Sequence, residues 1–149
     1  VNSPRLLLKE YEFNVIDTPS EIVFDDGSKI FMMPWICTDN YNQSMEAIKS
    51  TDAQVLFGHF EIAGFQMYKG HENDEGFDPK IFEKFDTVCS GHFHHRSSNG
   101  NINYLGNPYE IFWNDVNDTR GFHIFDTETL THTPVNNPYK LFYNIYFRY

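Results

Sequence analysis

The sequence predicts a layered α/β domain with a mixed β-sheet and few flanking helices. Two apolar runs, residues 53–57 (AQVLF) and 87–89 (TVC), lack sustained polar alternation, as strands do when both faces of their sheet are covered. Helical signals fall between the strand signals, near residues 38–49 and 79–85. The remainder is a series of short strand candidates joined by turn residues, so helices lie outside and the sheet inside.

The elements follow in order. Residues 14–16 (NVI) predict a brief strand ahead of Pro19. Residues 21–24 and 29–33 flank Asp25-Asp26-Gly27-Ser28, a strong hairpin turn. After MPWIC, Thr38 or Asp39 can cap a helix to about Lys49, with Met45 and Ile48 on one face. Residues 64–78 are polar and Gly-rich and predict a loop; within it, GHENDEG at 70–76 is expected to be solvated. Residues 79–85 (PKIFEKF) predict a short helix with Pro in its first turn. Residues 102–105, 121–126 and 130–135 predict further strands, the last two joined by a DTET turn, and the aromatic tail KLFYNIYFRY predicts another strand. Trp35, Trp113 and the many Phe residues are expected in the core.

A chain of 149 residues is the usual size of one domain and can bury a real core. Hydrophobic content of 40%, with 15 Phe and 9 Tyr, excludes a disordered chain. No apolar run approaches the roughly 20 residues that cross a bilayer, and VNSPRLLLKEYEF has neither the features of a secretory signal nor an initiator Met. The expectation is a cytoplasmic chain that begins inside something larger. Cys37 and Cys89 are too few for a disulfide scaffold and are expected to be reduced and buried. A formal net charge of −10 argues against a basic nucleic-acid coat, although bound cations can supply local positive charge.

One internal echo bears on function. AQVLFGHFE and DTVCSGHFH share a form: buried strand, Gly, His, Phe. Ligands of open α/β sheets sit beyond the carboxyl ends of strands, where His59 and His92 are expected to emerge together after Gly58 and Gly91. In an extended segment His92 and His94 point to the same side, with Phe93 and His95 to the other. A lone His at a strand end is ordinarily a hydrogen-bonded or half-exposed residue. Three meeting in one place favour a metal such as Zn, Mn or Fe.

GHFH at 91–94, preceded by FGHFE at 57–61, resembles the last two motifs of the calcineurin-like metallophosphoesterases. More closely, the chain resembles the SbcD-type recombination nucleases, in their T-even-like phage branch. NSPRLLLKEY, MPWIC, GHFEIAGFQMYKG, CSGHFH, YLGNPYEI and DTRGFHIFDTET follow that subfamily in its order. The resemblance implies the C-terminal half of a four-layer α-β-β-α metallophosphoesterase sandwich. It implies two divalent metal ions, Mn foremost, with His59 and His92 on one and His94 on the other, and DNA phosphodiester hydrolysis by a metal-activated water. It further implies DNA recombination or repair, an SbcC-like ATPase partner, a homodimer, and the cytoplasm of a bacterial host.

The family's DxH, GDxxD and GNHD/E motifs, which supply the remaining ligands, do not occur here, and the last would fall just upstream of Val1. Residues 1–149 therefore read as a partial nuclease domain lacking its N-terminal metal-binding motifs, expected to be catalytically silent alone and to bind metal weakly or not at all. Asn107, on a loop matching one near the family's active site, and Arg96 and Arg120 are candidates for contact with DNA, against an ordinary turn and surface charges. The alternatives are a noncatalytic binding or scaffold module that keeps the fold, and a small-molecule phosphoesterase of the same superfamily.

Overall fold

The computed structural model describes residues 3–8 and 10–148. A short helix, α1 (Ser3–Leu7), is followed by turns over residues 10–12, and residues 14–16 form no strand. The predicted hairpin is present: β1 (Ser20–Val23) pairs antiparallel with β2 (Lys29–Met32). Gly27 takes φ of +83° in the turn, a conformation that side chains with a Cβ resist. Helix α2 (Tyr41–Ser50) starts after Asn40, not at a Thr38 or Asp39 cap. The Asn40 side chain turns back instead, accepting from Cys37 N–H at 2.7 Å and donating to the Trp35 carbonyl at 2.9 Å.

Next come β3 (Val55–Gly58), β4 (Phe65–Tyr68) and β5 (His71–Asn73). The last two form a two-stranded hairpin inside the segment expected to be a loop, turning at Lys69-Gly70, although His71 and Glu72 are exposed as expected. Residues Pro79–Phe82 make one 3-10 turn capped by Asp78, shorter than the helix expected. The chain then forms β6 (Thr87–Ser90), β7 (Ser97–Asn99), β8 (Ile102–Tyr104), a 3-10 turn at Trp113–Asp115, β9 (Gly121–Asp126) and β10 (Thr131–Asn136). The aromatic tail is not a strand; apart from Phe142, which is half-buried against Trp113, its described side chains are exposed, Ile145 by 76% and Phe147 by 80%.

The main sheet has six strands in the order β1-β2-β3-β6-β8-β7. Its four central strands are parallel and its two edges antiparallel, so the sheet is mixed. Register aligns Phe31, Leu56, Val88 and Ile102 across β2, β3, β6 and β8. These four side chains are buried together with Ile48 of α2 and Phe82 of the first 3-10 turn. The opposite face carries Val55, Phe57 and Cys89, covered by the β9–β10 hairpin, where Phe125 meets Phe57 edge-on at 5.2 Å. Helix, sheet and hairpin thus stack as three layers, and β3 and β6 are buried on both faces as their sequences require.

Cys89 is buried and Cys37 is exposed, both free. Trp35 and Trp113 are 54% and 68% exposed, correcting their expected place in the core. Among the described residues no helix is long and apolar enough to cross a membrane.

Candidate metal centre

The carboxyl ends of β2, β3, β6 and β8 lie along one edge of the sheet, and each runs into a loop that reaches the site. Gly58 pairs with Ser90 at the last register position of β3 and β6, and Gly91 N–H donates to the Gly58 carbonyl at 3.0 Å. His59 and His92 therefore leave neighbouring strands side by side. Their ring centroids are 5.3 Å apart and their planes nearly perpendicular, at 85°. Trp35, from the loop after β2, lies 5.2 Å from the His59 ring and 5.8 Å from that of His92.

The echo of Gly-His-Phe follows from close packing. A Cβ on residue 58 would lie 2.2 Å from the buried Phe60 ring, and one on residue 91 would lie 2.8 Å from His59 Nδ1. The loop after β3 is fastened by two buried hydroxyls. Phe60 N–H donates to Ser90 Oγ at 3.0 Å, Ile62 N–H donates to the Tyr104 hydroxyl at 3.0 Å, and that hydroxyl donates to the Phe60 carbonyl at 2.9 Å. Neither Ser90 nor Tyr104 stood out in the sequence, where each is one more strand residue.

The expected i, i+2 convergence of His92 and His94 does not arise from extended backbone. Residues 91–96 form an irregular loop in which His92 takes φ of 86°, a left-handed value uncommon for a residue with a side chain. Both rings nonetheless line one groove of about 290 Å³, with Tyr68, Phe112 and Asp115. Burial pushes the His59 pKa below the usual imidazole value, and the nearby His92 and His94 act in the same direction. Neutral His59 offers a lone pair. Glu61 Oε2 is 3.8 Å from His92 Nε2.

His94 sits in a second constellation. Its ring stacks on Phe112 with centroids 5.3 Å apart and parallel planes, and its Nδ1 is 3.9 Å from Asp115 Oδ2. Asp115 is 1% exposed. Arg120, expected at the surface, is 4% exposed: Nη2 donates to Asp115 Oδ1 at 2.8 Å and to Asp118 Oδ2 at 3.0 Å, and Nη1 donates to the His94 carbonyl. His95 Nδ1 lies 2.7 Å from the same Asp118 oxygen, away from the His59 cluster. Asn107 N–H donates to the His94 carbonyl at 3.3 Å, and Arg96 Nη1 donates to Asn136 at 3.0 Å.

Among the described residues, no three His, Cys, Asp or Glu side chains are arranged to hold one ion between them. The imidazoles fit a share of a coordination sphere: they are N donors at one rim, but they do not close it. A second cavity of about 290 Å³, between the sheet and the β9–β10 hairpin, is apolar and lies around Phe57, Leu105 and Phe125, with His123 and His132 as its polar groups.

The chain is 40% identical over 127 residues, 85% of its length, to exonuclease subunit 1 of Enterobacteria phage T4. It is 29% identical over 93 residues, 58% of its length, to the SbcD-type subunit of the nuclease SbcCD of Staphylococcus epidermidis. No protein-family profile matches it. These two relatives support an SbcD-type nuclease fragment, and the His-bearing loops at the carboxyl ends of parallel strands are consistent with it. The chain spans 37% of the phage protein and 25% of the staphylococcal one.

Proposed function

We propose that the chain is part of a metal-dependent DNA nuclease in which His59, His92 and His94 supply a share of the ligands of a two-metal centre. The observation that carries this reading is the meeting of His59 and His92 at the ends of β3 and β6. Divalent cations held there would neutralise phosphate charge and lower the pKa of bound water, Mn²⁺ being the expected ion. This chain's own residues present imidazoles, hold the loop after β3 through Ser90 and Tyr104, and place Trp35 beside His59 and His92. Hard cations prefer oxygen ligands, and the carboxylates that would complete the site lie outside the matched histidines.

Residues 3–148 are then half of a four-layer α-β-β-α sandwich. The three stacked layers support this, as do Phe122 and Ile124 of β9, each 59% exposed where a fourth layer would cover them. Both relatives carry the name of a nuclease subunit, which supports a partner subunit of the SbcC ATPase kind; action on DNA in recombination or repair, in the cytoplasm of a bacterial host, is part of the same proposal. The exposed aromatic tail is a candidate surface for a homodimer of the full-length protein.

The test has two arms. The 149-residue chain with Mn²⁺ should not turn over a phosphodiester, and robust turnover would overturn the claim of an incomplete site. A longer chain matching the whole relative should cleave DNA and lose that activity with His59→Ala or His94→Ala. Retained cleavage in both variants excludes the ligand assignment. A noncatalytic scaffold draws on the absence of a three-ligand group among the described residues. It is the outcome if the longer chain neither binds Mn²⁺ nor cuts.

A further inference from the structure

The buried network around His94 contains more charge than closing a loop requires. Taking carboxylates and a guanidinium out of water costs several kcal/mol per ion unless each is hydrogen-bonded. A packed apolar cluster would close the segment from Ile111 to Arg120 equally well. Here the charges are arranged about one residue.

Asp115 Oδ2 accepts from Ile111 N–H at 2.7 Å and from Phe112 N–H at 3.0 Å, while Oδ1 accepts from Arg120. The first pair of bonds fixes Phe112, whose ring lies parallel on that of His94. The Arg120 bonds tie the carboxylate to the His94 carbonyl through one rigid guanidinium. Phe112 thus sets the plane of the imidazole, Arg120 its backbone, and Asp115 the charge at one edge. At 3.9 Å, Asp115 Oδ2 is beyond hydrogen-bond reach of His94 Nδ1 but close enough, in a buried setting, to bias where the imidazole proton sits.

We propose that Asp115 is a positioning residue for His94: its carboxylate keeps the proton of the neutral ring on Nδ1 and leaves the lone pair on Nε2. This rests on the reading of His94 as a ligand only for the identity of what Nε2 meets; the tautomer itself does not depend on it. Partners of this kind orient ligating histidines, and their loss costs roughly 10–100-fold in metal affinity.

The experiment is ¹⁵N NMR of the imidazoles in the full chain, at a pH above the imidazole range, with and without Mn²⁺. The wild-type His94 should show a protonated Nδ1. Asp115→Asn keeps an oxygen to accept from Ile111 and Phe112 but removes the charge, and should shift the proton toward Nε2. It should also weaken Mn²⁺ broadening of His94 by about 10–100-fold in affinity. A merely structural role predicts the same tautomer in both proteins, and that result would overturn the proposal. A wild-type His94 protonated on Nε2 would overturn it without any variant, should Asp115→Asn fail to fold. A tautomer shift with no Mn²⁺ response in either protein supports the positioning role and removes metal binding by this chain.

Discussion

The His59 ring occupies the space that a side chain at Gly91 would need, since a Cβ there would lie 2.8 Å from His59 Nδ1. Gly91→Ala should therefore move the imidazole and leave the fold standing, because a ring at the rim can swing aside. The expected loss of stability is below about 1 kcal/mol, with a clear change in the His59 NMR signals. Gly58→Ala should behave in the opposite way. Its Cβ would meet the Phe60 ring, which is fully buried and has nowhere to go, at a cost of about 1–3 kcal/mol. Urea unfolding of both variants, read beside the His59 signals, checks the contrast.

The loop after β3 should depend on the Tyr104 hydroxyl. Tyr104→Phe leaves the Ile62 N–H without its partner in a buried place, and leaves the Phe60 carbonyl only the longer bond from the Ser90 hydroxyl at 3.4 Å. A loss of about 1–3 kcal/mol is expected in the urea midpoint, with an unchanged slope. A midpoint within error of the wild type would show that the two peptide groups find another partner.

What the sequence made legible divides along physical lines. Asp25-Asp26-Gly27-Ser28 and the DTET turn announce hairpins through turn chemistry that is local, and the structure has both. Residues 53–57 and 87–89 announce buried strands through composition, and the shared Gly-His ending foretold that His59 and His92 meet. The β4–β5 hairpin lay hidden because only FQMY carries apolar residues while its partner HEN is polar, and β7 because SSN has no strand preference and pairs only through β8. The tail misled in the other direction: aromatic residues favour strands, but a strand needs a neighbour. Asp115 and Arg120 carried no local signal, since a charged pair five residues apart in FWNDVNDTR reads as surface until folding buries it.

Acid should loosen the β9–β10 hairpin. His123 Nε2 lies 3.0 Å from the Leu105 carbonyl and so donates to it, which leaves Nδ1 to accept from His132 Nδ1–H at 2.9 Å. That arrangement requires a neutral His123 ring, because protonation would remove its accepting lone pair. Burial lowers both pKa values, opposed at His123 by the Leu105 carbonyl and reinforced at both by the Arg96 charge. The unfolded chain thus binds more protons than the folded one between the depressed folded values and about 6.5. The contribution to stability is fully present above that window and is lost as pH falls through it. Replacing both residues by Phe should flatten this part of the stability profile; an unchanged slope would assign it to other groups.

The largest single loss is expected from Arg120→Met. The guanidinium serves Asp115 and Asp118 through one nitrogen and the His94 carbonyl through another, with both Arg120 and Asp115 nearly devoid of solvent. Removing it strands a fully buried carboxylate, and breaking a buried pair on one side costs about 3–5 kcal/mol. The cost belongs to the orphaned charge more than to the lost attraction. Arg120→Met combined with Asp115→Asn and Asp118→Asn should therefore be more stable than Arg120→Met alone. Should the triple variant prove as unstable as the single one, the packing of the guanidinium rather than its charge holds residues 111–120 in place.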